Sequence, residues 1–177
     1  MRGLLIGLIL LIAAWPLSVS AQATNQVAGA DTGPSLKVVE EKVAELINDY
    51  RKSKDKPPLA LDERLSVVCR QYSELRASGT DKDPYRMSKF AERFDATGVP
   101  RVNAYEIKYD LDGKDDPAAT VVAEWLNEDK ERAAGLFNTT AQFLARSTDT
   151  HIGVGAAKDA KGKYYFTALI FQEAAAP

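Results

Sequence analysis

The chain has 177 residues but only one cysteine and one histidine. A single thiol cannot close an internal disulfide. A single imidazole excludes a multi-histidine metal centre or a zinc finger built from one copy of the chain. Basic clusters are also missing: 23 Lys and Arg stand against 25 Asp and Glu, for a net charge of −2. That balance lacks the positive face of a nucleic-acid binder. No apolar run is long enough to cross a bilayer comfortably; the longest, Gly3 to Trp15, stops at Pro16. The G-x-S-x-G, P-loop, H-E-x-x-H and C-x-x-C patterns are all absent. What remains is 45% hydrophobic and 27% charged, a globular composition that excludes full disorder and fibrous repeats.

The N-terminus reads as a targeting segment. Arg2 gives a positive start, the short apolar run follows, and Val19-Ser20-Ala21 supplies the small residues a signal peptidase needs. Residues 1–21 are therefore expected to be a signal peptide cut after Ala21. Cutting after Ala23 and an uncleaved anchor are the alternatives. The mature chain would be secreted or periplasmic, with no membrane-spanning segment after cleavage. Residues 22–34 read as a flexible linker rich in small and polar residues, residues 35–173 as one domain, and residues 174–177 as a disordered tail.

Within that domain Leu36, Val39, Val43, Leu46, Ile47 and Tyr50 form a helical stripe that Ser35 can cap. A second helix starts after Asp62, with Leu65, Val68, Cys69, Tyr72 and Leu75 expected inward, and ends at Gly79. Cys69 reads as a small core residue rather than a nucleophile. A third helix fits Arg86 to Thr97, with Phe90 and Phe94 inward. Arg101 to Tyr109 alternates with Tyr105, Ile107 and Tyr109 on one face, which predicts a strand. Asp116 and Pro117 open a fourth helix that buries Val121, Val122, Trp125 and Leu126. Residues 135–149 have poor periodicity. His151 to Ala157 and Lys163 to Gln172 form a terminal hairpin. Asn138-Thr139-Thr140 matches a glycosylation sequon but reads as an ordinary polar loop.

The order of short motifs says more than any one of them. Asn48-Asp49-Tyr50-Arg51 precedes Pro58-Leu59-Ala60-Leu61-Asp62 and Leu65. Tyr105-Glu106-Ile107, Trp125-Leu126-Asn127-Glu128 and Ile152-Gly153-Val154-Gly155 then follow in turn. This series resembles the CAP superfamily of SCP-like extracellular proteins, over about Val38 to Gln172. The resemblance implies an α+β fold, a three-layer α-β-α sandwich with a small central sheet. It also implies a cleft that holds two Glu and two His in many members and binds a divalent metal in some.

Carried over residue by residue, the cleft set is damaged. Glu106 matches the Glu of G-E-N, although Tyr105 and Ile107 replace its neighbours. Glu128 matches the Glu of W-x-x-E. The first histidine position falls near Lys82, and the second on Thr140 or, on the shorter bacterial spacing, on Glu131. His151 sits at a strand start where the family has no ligand. Two carboxylates without imidazoles make a weak, unselective transition-metal site, so no metal and no cofactor are expected. Glu106 and Glu128 are expected to face one groove, either in structural hydrogen bonds or as a proton-sharing pair. The expected function is a non-catalytic, monomeric extracellular module that binds a lipid, an envelope component or a protein, and no nucleic acid. The alternative is a hydrolase using Glu106 and Glu128.

Overall fold

The computed structural model describes residues 34–80, 87–113, 115–133, 135 and 139–174, without the side chains of residues 87, 88, 101, 102 and 131–133. The expected signal peptide, all of the linker but Pro34, the sequon residue Asn138 and most of the C-terminal tail lie outside the described residues. The compact unit is Pro34–Pro177, and no helix among the described residues is long and apolar enough to cross a membrane.

Four helix starts follow directly from their capping residues. Ser35 Oγ accepts from the Val38 N–H to start α1 (Leu36–Ser53). Asp62 accepts from the Arg64 N–H to start α2 (Glu63–Ala77), after the two-residue strand β1 (Ala60–Leu61). The third helix, α3 (Met87–Asp95), leads to the long strand β2 (Arg101–Leu111). Asp116, with Pro117 at the first helical position, opens α4 (Pro117–Trp125). Thr139 and Gln142 form a capping box on α6 (Thr140–Leu144), which follows α5 (Glu128–Ala133). The chain ends in the hairpin of β3 (His151–Lys158) and β4 (Tyr164–Glu173).

The sheet order is β1-β3-β4-β2. β1 runs parallel to β3, and the other two pairings are antiparallel. A core lies on each face, so the expected α-β-α layering holds. On the first face Val39, Val43 and Ile47 of α1 and Val121, Val122 and Trp125 of α4 pack on Ile107, Ile152, Val154 and Phe166. On the second, Leu65 and Cys69 of α2 and Phe94 of α3 pack on Leu169 and Phe171. Trp125 is 3% exposed, in keeping with its place on the apolar stripe. Cys69 is a buried free thiol in the second core, and burial pushes its pKa well up.

Gly153 and Gly155 explain why the I-G-V-G segment needs its glycines. A Cβ at Gly153 would come within 2.7 Å of the Leu65 and Ser66 backbone, and one at Gly155 would overlap the backbone of Cys69 and Arg70. α2 thus lies directly on the β3 backbone. Beyond β1, the same helix and α1 finish the outer side of β3. Ser66 Oγ accepts from the Val154 N–H at 3.2 Å, and Glu40 Oε1 accepts from the Ala156 N–H at 2.9 Å. Arg70 forks onto Glu40 at 3.0 and 2.6 Å and fixes that carboxylate in place.

Leu75, expected inward on α2, is 43% exposed, because the buried positions of this helix are Leu65, Ser66, Cys69, Tyr72 and Ser73.

Candidate functional site

Glu106 sits midway along β2, opposite Leu169 of β4. Its side chain is 6% exposed and points to the second face, where Arg93 of α3 donates from Nη2 to both carboxylate oxygens at 2.7 and 2.8 Å. Lys108 Nζ adds an ion pair at 3.1 Å. The Arg93 guanidinium lies 3.6 Å from the centre of the Tyr72 ring, and Lys108 lies 5.5 Å from it. Two cations, one carboxylate and one aromatic face therefore form a single stack between α2 and α3. Arg93 Nε is buried without a hydrogen-bond partner among the described residues.

Above this stack runs a groove of about 350 Å³ between α2 and α3, walled by Val68, Leu75 and Ala96, with Tyr72, Lys89 and Arg93 among its polar residues. Its size lies at the lower end of small-molecule pockets.

Glu128 is elsewhere. It is the first residue of α5, since α4 stops at Trp125 rather than running on to it. Its charge acts on Tyr50 of α1, whose phenol is raised first by burial and then by Glu128. Tyr50 packs on the first core and donates to Ala141 O at 3.3 Å, next to the half-buried Thr140. Glu128 and Thr140 thus lie around Tyr50, while Glu106 is on the other side of the sheet. The expected convergence of Glu106 and Glu128 on one groove does not form. Lys82 and the side chain of Glu131 lie outside the described residues.

The reason is the two-residue period of a strand. Tyr105, one position earlier, is the β2 residue on the Glu128 side. Its hydroxyl donates to Phe143 O at 2.5 Å and lies 3.0 Å from Asp149 Oδ2. Burial drives the Tyr105 phenol far above its usual range, with Asp149 adding to the effect. Asp149 is 2% exposed. Burial raises its carboxyl, against the Tyr105 hydrogen bond and the charges of Arg146 and Arg51, and its Oδ1 has no partner among the described residues. Beneath it, the fully buried Arg51 donates to Pro57 O, Leu144 O, Arg146 O and Asp149 O at 2.8, 2.7, 3.0 and 3.4 Å. Sequence reasoning did not place Tyr105 and Asp149 in the site. The alternation of Tyr105, Ile107 and Tyr109 was the signal that would have found Tyr105.

The donor set does not fit a divalent ion. Glu106 already holds two cations, and His151 is stacked on Phe171 at 4.9 Å, hydrogen-bonded to Thr150 and 3.7 Å from Glu173. Among the described residues no three His, Cys, Asp or Glu side chains converge.

The sequence matches the profile of CAP, the cysteine-rich secretory protein family, over residues 44–171. The chain belongs to the CAP family. Its backbone is similar to several solved CAP structures. An outer surface protein from Borrelia burgdorferi superposes with a TM-score of 0.61 at 19% identity, covering 80% of this chain and 97% of that one. An extracellular SCP-domain protein from Bacillus anthracis gives 0.58 at 17% identity, over 77% of this chain and 41% of that one. A cysteine-rich secretory protein from Staphylococcus aureus gives 0.55 at 16%, over 78% and 40%. The CAP chain therefore spans about two fifths of the length of the last two and nearly all of the first. At these identities the likeness establishes the fold alone. No curated protein matches by sequence. Despite the family's name, this CAP domain has one cysteine, and packing with buried polar clamps does the work of disulfides.

Proposed function

We propose that this CAP domain is secreted after cleavage of residues 1–21 and acts outside the cell as a non-catalytic binding module for a lipid, an envelope component or a protein. The observation that supports this reading is the state of Glu106. A carboxylate held by Arg93 and Lys108, with Glu128 across the sheet, lacks the second group that a carboxylate pair needs for acid–base work. The groove between α2 and α3 is the binding surface we assign, since it sets the apolar walls of Val68, Leu75 and Ala96 beside the charged Lys89, Glu92 and Arg93.

N-terminal sequencing of the secreted protein tests the first half; a start at Gln22 or Thr24 is expected. Native mass spectrometry of the protein recovered from its own extracellular medium tests the second. Bound mass should be present and should disappear in Ala96→Trp, which fills the groove. Hydrolysis of ester or glycoside substrates that is abolished by Glu106→Gln and by Glu128→Gln would overturn the proposal in favour of the hydrolase.

A further inference from the structure

Among the described residues β2 is the last strand of the sheet and pairs only with β4. Among the described residues no loop or helix backbone bonds to its outer side. An edge of this kind is a template for a further strand. A second copy of the same strand must meet it antiparallel about a two-fold axis perpendicular to the sheet, so one residue faces itself. The side chains of β2 then decide which residue that is.

Centring the axis on Glu106 would set Glu106 against the partner's Glu106. Centring it on Lys108 would oppose Lys108 to itself and Glu106 to the partner's Asp110. Centring it on Ile107 leaves no like charges directly opposed. Glu106 then faces the partner's Lys108, Tyr105 faces the partner's Tyr109, and both pairs recur by symmetry. Asn103 faces the partner's Leu111, so the ladder ends where the β2–β4 register becomes irregular, between Arg101 and Asn103. Opposite charges and aromatic pairs are the contacts that stabilise directly opposed strand positions. Glu106 and Lys108 already lie side by side at 3.1 Å, so the second copy completes a two-by-two block in which each charge faces its opposite. The faces of β2 are already packed in the two cores, and pairing leaves that packing in place.

We infer that two copies of this chain associate through β2, antiparallel and centred on Ile107, to form one continuous eight-stranded sheet. This replaces the monomer expected from the sequence. One strand pair makes a small interface, so the dimer is reversible and concentration-dependent.

Sedimentation velocity of the secreted protein tests it: the average mass should rise from one chain toward two across the micromolar range. Lys108→Glu, checked for folding by circular dichroism, should weaken association at least about tenfold, since it places a like charge opposite Glu106 at both ends. Ile107→Cys lies on the axis and should cross-link with a short thiol reagent. Tyr109→Cys, about 14 Å from its symmetry mate by the strand rise, should not. A single-chain mass at every concentration overturns the inference. So does association unchanged by Lys108→Glu, or cross-linking through Tyr109→Cys in preference to Ile107→Cys. If Ile107→Cys does not fold, the unsubstituted protein and Lys108→Glu still decide.

Discussion

Along β3, the N–H groups of Val154 and Ala156 end on Ser66 and Glu40, whereas β2, at the opposite side of the same sheet, has β4 as its sole strand partner among the described residues. The first edge is finished from within, by side chains of two helices that also pack the core. The second carries its charges in the strand itself, at Glu106, Lys108 and Asp110. Sheet proteins use both devices against unwanted pairing. The difference is that a buried acceptor closes an edge to any partner, while alternating charges only reject the partners whose charges do not match.

If that contrast is right, removing the buried acceptors along β3 should destabilise more than neutralising the half-exposed charge of Asp110 on β2. Glu40→Ala should have the largest effect. It leaves Arg70 with only the longer pair to Glu63 at 3.7 Å among the described residues and strands the Ala156 N–H, and breaking a buried ion pair costs about 3–5 kcal/mol; urea denaturation measures it. Gly155→Ala comes next, at about 2–3 kcal/mol, because its Cβ forces α2 off the strand; a lowered melting temperature with retained helix signal is expected. Ser66→Ala should cost about 1–2 kcal/mol through the unsatisfied Val154 N–H, read as faster amide exchange at Val154. At the other edge, Asp110→Asn loosens half-exposed pairs with Arg76 and Lys163 and should change stability by less than about 1 kcal/mol. An Asp110→Asn loss as large as that of Glu40→Ala would break the comparison.

Asp149 sharpens it from the first face. Its folded carboxyl is raised above the usual 3.8. The fold is therefore favoured while the group is protonated in both states. That advantage is lost as pH climbs from the unfolded value through the folded one. Lowered carboxyls such as Asp62 act in the opposite sense, so the test is the difference between the parent and Asp149→Asn. The parent should lose stability relative to the variant across that window, and parallel curves would refute the assignment.

Much of this was legible in the sequence. Helices α1, α2 and α4 announce themselves by caps and by stripes several turns long, and the terminal hairpin by its turn residues. Helices α5 and α6 have six and five residues, too few turns for any period; only the Thr139–Gln142 box marks the second. β1, at two residues, has no pattern of its own. In the candidate site, motif spacing found Glu106 and Glu128 but not the face each occupies. Face is set by parity along β2, and Glu106 differs from Tyr105 by one step. Leu75 misled because helical periodicity says which residues share a side, not whether a neighbour covers it.

Arg51 has a consequence for how this protein can be made. One cation fastens the end of α1 to four carbonyls between Pro57 and Asp149, the kind of long-range tether that extracytoplasmic domains often form by oxidation. A guanidinium requires no oxidant, no isomerase and no particular glutathione poise. The domain should reach the same native state in a reducing cytoplasm as beyond the membrane, and thiol reductants should leave its melting curve where it was.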